Sequence, residues 1–212
     1  MARVNMIPPE STDGAVRKVY DHVLKQWGRI SNFSQVLAHQ PAALMGWALP
    51  NDAIRLNNVK ADPDYVKIQQ LVIIKTSALN RSAYCMSHNV PLGRKVGLSE
   101  AQVAAAQGDG YMASPDLDDR QKAAVRWAEA VTQMTARDDD AAFAAMKQHF
   151  TEKQIVELTV FCGMELLQPA VRGPARRSGA AGQAHRIPEI GHAKKDNGGL
   201  LGRRCRFDSR CA

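Results

Sequence analysis

The sequence lacks several features that would assign it to a protein class at once. Its 212 residues include four cysteines, at positions 85, 162, 205 and 211, and no two of them form a Cys-x-x-Cys pair. A zinc ribbon or a disulfide framework is therefore disfavoured, and we expect reduced thiols. No HExxH or comparable metal-ligand pattern occurs, so neither a metal nor a cofactor is expected.

Long apolar runs are also missing. No stretch reaches the roughly 18 apolar residues that a membrane-spanning helix requires, and the opening residues, MARVNMIPPESTDG, lack the apolar segment of a secretion signal. We therefore expect a cytoplasmic protein without a membrane partner.

The net charge of +7 is confined to the end of the chain. Residues 1–168 hold 18 basic and 18 acidic residues, whereas residues 169–212 hold 10 basic and three acidic ones. A nucleic acid would have to bind through this tail alone, so we do not expect one as a partner of the main part.

Helical patterns dominate residues 1–168, which we predict to form one all-α domain of seven or eight helices. In DGAVRKVYDHVLKQWG the apolar residues recur at three- and four-residue spacing, with Asp13 placed to cap the helix and Gly28 to end it. The segment DYVKIQQLVIIKTSALN has apolar residues on most sides and is predicted to be the buried central helix. A break at Asn80 and Arg81 precedes the next predicted helix, SAYCMSHNVPLGRKVG.

Residues 169–212 differ in composition from the rest. They hold seven of the 15 glycines, and we predict a disordered basic tail. A second hypothesis is that the sequence is out of frame from about residue 165. One inserted base after the codon of Met164 allows MELLQPAVRGPARR to be read in the neighbouring frame as MNFFNRLCVALHVE, which has a helical pattern. Sequencing the gene distinguishes this hypothesis from a natural basic arm.

The segment LVIIKTSALNRSAYCMSHNVPLGRKVGLSEAQV resembles the carboxymuconolactone decarboxylase and alkylhydroperoxidase-D superfamily. The segments RVNMIPPES, GRISNF and LAHQPAALMGW are similar to its peroxidase-related branch, and the resemblance covers roughly residues 10–165. It implies an all-helical subunit that forms a homo-oligomer, a trimer or hexamer if the last helix is intact. It also implies a pocket for a small molecule near the helix that carries Cys85.

Hydroperoxidases of this superfamily use a Cys-x-x-Cys pair, a histidine four residues later and a glutamate in the preceding helix. Aligned on Cys85, the first cysteine is replaced by Ser82 and the histidine by Asn89. The glutamate position holds Gln70, and Tyr84 takes the place of a further relay histidine. A serine cannot resolve a sulfenic acid, so a two-cysteine peroxidase is disfavoured.

Cys85 and His88 are three residues apart, so a helix would place them on one face. The imidazole would then lower the pKa of the thiol. The alternative is that Cys85 is a small buried apolar residue and His88 a hydrogen-bonded helix residue. Cys162 is interpreted as structural, and it would serve as a resolving thiol only if the fold brings it close to Cys85.

On its decarboxylase side, the resemblance implies acid/base chemistry on a ring lactone or a related carboxylate. In this interpretation His88 transfers the proton, and Ser82 and Tyr84 orient the substrate. Arg81 or Lys75 would hold the substrate carboxylate, with a solvated charge as the alternative for both.

Two further functions stay open. One is a peroxidase that uses Cys85 as nucleophile, His88 as base and an external reductant. The other is a non-catalytic oligomeric binding protein.

Overall fold

The computed structural model describes residues 4–172, and within this range the side chains of all residues except Lys60 and residues 168–172. Ten α-helices and no strand form this part of the chain, which confirms the all-α prediction. The helices are α1 (Gly14–Trp27), α2 (Asn32–Leu37), α3 (Pro41–Asn51), α4 (Asn57–Ala61), α5 (Pro63–Leu79), α6 (Ala83–Lys95), α7 (Glu100–Gln107), α8 (Asp119–Thr132), α9 (Asp140–His149) and α10 (Glu152–Arg172).

The predicted number of helices, seven or eight, is too low. The sequence pattern did not separate α4 from the segment before it, because no loop lies between the two. A π-helical turn, Asp52–Leu56, connects α3 directly to α4.

Helix α1 has the predicted caps. The side chain of Asp13 accepts a hydrogen bond from the backbone N–H of Val16 at 2.9 Å. Gly28 ends the helix with a φ of 69°, a left-handed conformation that glycine adopts without a steric penalty. The buried face of α1 packs on α3.

Helix α5 is the central helix, as predicted. Leu71, Val72, Ile73 and Ile74 are all fully buried, because α5 contacts helices on several sides. Its neighbours are α4, α6, α7, α8 and α10. Helix α6, which follows α5 in the chain and packs on it, therefore begins beside the core of the domain.

The predicted break between α5 and α6 is also present. Arg81 has a φ of +50°, which turns the chain, and Ser82 then caps α6. Farther along α6, Gly93 allows a close approach to α5. A Cβ at this glycine would lie 3.2 Å from the side chains of both Ile74 and Leu98.

The proline inside α3 precedes the irregular turn. Pro50 has no N–H to donate to the helix ladder, and the π turn begins two residues later. Asp52 fixes this turn to α1, since it accepts a hydrogen bond from Trp27 Nε1 at 2.6 Å and pairs with His22 Nε2 at 2.7 Å. The π turn carries Arg55.

Helix α10 continues past the point at which the sequence changes character. It runs to Arg172 and packs against α5 and α8. The disorder predicted for the tail, and most of the segment to which the frame hypothesis applies, lie outside the described residues. Within residues 4–172, no helix is both long and apolar enough to cross a bilayer.

Candidate functional site

Cys85 lies in the first turn of α6 and is 1% exposed. The Ser82 hydroxyl, which caps the helix, accepts a hydrogen bond from the backbone N–H of Cys85 at 3.3 Å. The thiol of Cys85 hydrogen-bonds with Ser82 and with Glu165 on α10, and it lies near the hydroxyl group of Ser77 on α5. Three helices thus meet at this thiol.

These surroundings raise the pKa of the Cys85 thiol to about 12. Burial contributes most, because it disfavours the charged thiolate, and the charge of Glu165 adds to the effect. The hydroxyl groups of Ser82 and Ser77 act in the opposite direction. The lowered pKa predicted from a neighbouring imidazole is therefore wrong, and the thiol is protonated near neutral pH.

Glu165 is the acidic group of the site, and it is 6% exposed. Burial raises the pKa of its carboxyl group to about 7, whereas the charge of Arg55 and the hydrogen bond with Cys85 both lower it. A carboxyl group with this pKa is present in both protonation states at neutral pH. It can therefore give or accept a proton there.

Arg55 brings a positive charge to this carboxyl group from the π turn. Its guanidinium carbon lies 5.5 Å from the ring centroid of Phe161 on α10. Burial lowers the pKa of the guanidinium, and the carboxylate of Glu165 raises it. Arg55 is half-buried, so it is closer to solvent than Glu165 is.

His88 lies half-buried on α6, and its Nδ1 is 2.9 Å from the backbone carbonyl oxygen of Tyr84. Because a carbonyl only accepts, Nδ1 carries the hydrogen, and Nε2 is the nitrogen that can take up a proton. The rings of Tyr84 and His88 lie 4.3 Å apart. The catalytic role of His88 and the orienting role of Tyr84 stay predictions.

Lys75 is fully buried, so the solvated alternative is wrong for this residue. Its ammonium donates to the Gly108 carbonyl at 3.0 Å and to the Glu129 carboxylate at 3.1 Å, and it lies 4.6 Å from the ring centroid of Tyr111. The three N–H groups of the Lys75 ammonium thus have three partners: the carbonyl, the carboxylate and the face of the ring. Arg81, by contrast, is exposed at the break between α5 and α6. A substrate contact stays a prediction for both residues.

Gln70 and Asn89, which occupy two positions of the hydroperoxidase relay, lie against each other in the fold. Gln70 Nε2 donates to the Asn89 backbone oxygen at 2.8 Å and to its side-chain oxygen at 3.2 Å. Asn89 Nδ2 donates to the Cys85 carbonyl at 3.0 Å. Amides do not titrate at neutral pH, so these two residues cannot relay a proton as a carboxylate and an imidazole do.

Cys162 is buried on α10, and its thiol hydrogen-bonds with Thr76, the residue before Ser77 on α5. Burial raises the pKa of this thiol to about 12, and the charge of Glu165 also raises it. The fold therefore places both buried thiols under the influence of one carboxylate.

Residues 66–130 match the sequence model of the carboxymuconolactone decarboxylase family. The resemblance to the carboxymuconolactone decarboxylase-like superfamily is confirmed. The matched segment runs from α5 to α8, so it includes Cys85 and His88 but neither Arg55 nor Glu165. A comparison with curated proteins gives no match.

Three solved structures are similar to this chain. An uncharacterized peroxidase-related protein from Ralstonia eutropha, described as an alkylhydroperoxidase AhpD core, has 20% identity and a TM-score of 0.63, with 81% of this chain and 90% of that chain covered. A protein of unknown function from Agrobacterium tumefaciens, provisionally named an AhpD antioxidant defence protein, has 22% identity and a TM-score of 0.54, with coverages of 63% and 88%.

The third structure is the debrominase Bmp8, in which a cysteine is replaced by alanine, in complex with 2,3,4-tribromopyrrole. It has 18% identity and a TM-score of 0.59, with 80% of this chain and 90% of that chain covered. At these identities the three similarities establish the fold that this chain shares with them.

Sequence reasoning did not identify Arg55 or Glu165. Arg55 follows a proline in a segment without clear periodicity, and nothing in that pattern marks the π turn. Glu165 stands where the composition begins to change. A signal for Glu165 was nevertheless present, since it lies three residues after Cys162 on the face of a helix whose other members are apolar.

Proposed function

We propose that this chain is a small-molecule enzyme that carries out acid/base, decarboxylase-like chemistry on a ring lactone or a related carboxylate. The observation that supports this proposal most is the pair formed by Glu165 and Cys85. Its carboxyl group titrates at about pH 7, and its thiol stays protonated at that pH. This pair suits proton transfer better than it suits attack by a thiolate.

The proposed reaction exchanges a carboxylate on the substrate for a proton. The bond between the ring carbon and the carboxylate breaks, CO₂ leaves, and the electron pair moves into the conjugated lactone carbonyl. Glu165 in its acid form then gives its proton to the ring carbon, and it regains a proton from solvent. Cys85 orients the carboxyl group through its hydrogen bond, and His88 is a second candidate for the proton-transferring group.

The first experiment measures CO₂ release from a series of lactone carboxylates. We expect Glu165→Gln to lower kcat by about 100-fold or more, as for the loss of a general acid, and to abolish the change in rate near pH 7. Glu152→Gln, at the exposed start of the same helix, is the matched control and should retain its rate. Full activity of Glu165→Gln would contradict the role of Glu165, and loss of activity in His88→Ala alone would transfer that role to His88.

A thiol-dependent peroxidase is the second candidate function. The hydrogen bond between the Cys85 thiol and a carboxylate that can accept its proton supports it. The thiolate would attack the hydroperoxide O–O bond, which releases an alcohol and leaves a sulfenic acid on Cys85, and an external thiol would then reduce that acid.

Trapping the sulfenic acid separates the candidates. Rapid trapping in the wild type and none in Cys85→Ser would favour the peroxidase. An inert thiol together with turnover that depends on Glu165 would favour acid/base chemistry. If neither sulfenic acid nor turnover is detected, the non-catalytic binding protein is the remaining hypothesis.

A homo-oligomer in the cytoplasm remains part of the proposal. Helix α10 supports the oligomer, because Val156 and Leu167 on this helix are 61% and 50% exposed. Sedimentation of the full chain tests it, and a monomer at micromolar concentration would contradict it.

A further inference from the structure

A small cavity lies beside the C-terminal half of α8, between the short helical turn Tyr111–Ala113 and the start of α9. Its volume is about 170 Å³, and a cavity of similar size in another protein holds a molecule as large as benzene. The charged side chains of its wall are Arg126, Glu129 and Asp139. No residue assigned to the proposed reaction lines it. We propose that this cavity binds a free α-amino acid with an apolar side chain.

The charged groups of the cavity are held in two ion pairs. The Glu129 carboxylate accepts hydrogen bonds from the buried Lys75 ammonium at 3.1 Å and from the Tyr111 hydroxyl. Arg126 donates to Asp139 at 3.0 Å, and Asp139 also caps α9. Two positive and two negative charges therefore balance around the cavity. A ligand without net charge keeps this balance, whereas a charged one would leave an unpaired charge at a partly buried site.

Both ion pairs leave polar groups that a ligand can use. The side chains of Glu129 and Arg126 are 25% and 34% exposed, and both line the cavity. A carboxylate has about four lone-pair sites and a guanidinium has five N–H donors, so the contacts described above do not exhaust either group. The wall can therefore bind one cationic group and one anionic group of a ligand.

The spacing of these two residues fits an α-amino acid. Arg126 and Glu129 are three residues apart on α8, and such side chains are neighbours, with about 5–6 Å between their Cβ atoms. In an α-amino acid the ammonium and the carboxylate are attached to one carbon atom, so they also lie side by side. The ammonium would donate to Glu129 while the carboxylate accepts from Arg126.

Methionines provide the apolar part of the site. Met112 lines the cavity and is 51% exposed. Met134 is 80% exposed and lies between Gln133 and Thr135, which both line the cavity. Its φ of 62° is left-handed, and glycine is the usual residue in this conformation after a helix. Strained residues of this kind cluster at ligand sites, and methionine adapts to apolar ligands of different shape. The ligand side chain is therefore expected to be apolar.

The test measures the binding of L-leucine to the full chain by isothermal titration. Three analogues each lack one recognised group: L-leucinamide lacks the carboxylate, 4-methylpentanoate lacks the ammonium, and glycine lacks the apolar side chain. We expect each analogue to bind about tenfold or more weakly than L-leucine.

Two variants of the wall test the contacts. Arg126→Met should bind L-leucine about tenfold or more weakly than the wild type and should no longer distinguish it from L-leucinamide. Met112→Ser, which breaks no ion pair, should lower the affinity for L-leucine but not that for glycine. Because Met112 is half exposed, this variant keeps the test decisive even if Arg126→Met fails to fold.

Two further variants are controls. Arg94→Met removes an arginine from a surface ion pair with Glu100, in which the side chains are 50% and 71% exposed, and it should bind L-leucine as the wild type does. Cys85→Ser should also bind normally, because Cys85 does not line this cavity.

Four results would overturn the inference. They are absence of L-leucine binding at millimolar concentration, equal binding of any of the three analogues by the wild type, unchanged L-leucine affinity in Met112→Ser, and loss of L-leucine binding in Cys85→Ser. Binding of L-leucine with the expected losses would uphold it, whether or not the chain turns over lactones.

Discussion

The carboxyl group of Glu165 hydrogen-bonds to the thiol of Cys85, so the ionisation of either group opposes the ionisation of the other. The two residues come from helices α10 and α6, 80 positions apart in the sequence. Their contact therefore couples α10 to α6 at the buried thiol.

Glu165→Gln should make Cys85 more reactive. Removing the carboxylate removes the second-largest cause of the raised thiol pKa, whereas burial remains. The pKa of Cys85 should fall, yet stay above that of a free cysteine. Iodoacetamide labelling rates between pH 7 and pH 11 measure this shift, with Cys162→Ala, Cys205→Ser and Cys211→Ser combined as the common background. An unchanged or raised pKa in the variant would contradict the contact.

Glu165 should make the fold less stable as the pH rises. The carboxyl pKa is about 7 in the folded chain and about 4.3 when unfolded, so the folded state binds more protons between these values. The stabilising contribution is complete below about pH 4 and is lost as the pH rises through 7. It amounts to about 4 kcal/mol at most.

Urea unfolding of the wild type and of Glu165→Gln at pH 4.5, 6 and 8 measures this contribution. As the pH rises, the free energy of unfolding of the wild type should fall relative to that of Glu165→Gln. Parallel pH profiles would show that Glu165 titrates normally.

Lys75 and Glu129 should be strongly coupled. Lys75→Met removes the ammonium group that donates to the Glu129 carboxylate, and we expect the free energy of unfolding to fall by about 1–3 kcal/mol. The double variant Lys75→Met/Glu129→Leu should recover part of that loss. Urea unfolding of the four proteins forms the cycle.

Lys67→Met is the matched control, because Lys67 pairs with Asp64, whose side chain is 78% exposed. Lys67→Met should lower the free energy of unfolding much less than Lys75→Met does. Additive losses in the Lys75 and Glu129 cycle would refute the coupling.

Gly93→Ala should destabilise the packing of α6 on α5. The added Cβ would lie 3.2 Å from the Ile74 and Leu98 side chains, and overpacking of this kind costs about 1–3 kcal/mol. Gly46→Ala is the control, since a Cβ at this position on α3 meets nothing within 4 Å. Thermal unfolding should show a lower Tm for Gly93→Ala and a slightly higher Tm for Gly46→Ala. Equal Tm values would contradict the close approach of the two helices.

The helices were predictable from the sequence because their signals are local. Asp13 caps α1 and Gly28 ends it within the same short segment, and Ser82 caps α6 directly before Cys85. The apolar residues of α5 recur on most sides, which suffices to identify a central helix.

The site was predictable only in part, because its remaining groups depend on long-range packing. The α5 pattern did not tell which way the Lys75 side chain points, and Glu129, its partner, is 54 residues away. The approach of α10 to α6, which buries Glu165, depends on contacts between distant helices. For Cys85 the sequence left both an activated thiol and a buried apolar residue open, and the residue that raises its pKa from α10 was not identified.

The π turn makes the site sensitive to chain length. Such a turn holds one residue more than a regular helical turn, and each residue of an α-helix advances the chain by about 100° around the axis. Deletion of the exposed Ala53 would let residues 50–57 close as a regular α-helix and would change the direction of the Arg55 side chain. A single lost codon would thus alter the site while every remaining side chain stayed the same, an outcome that no substitution scan would find.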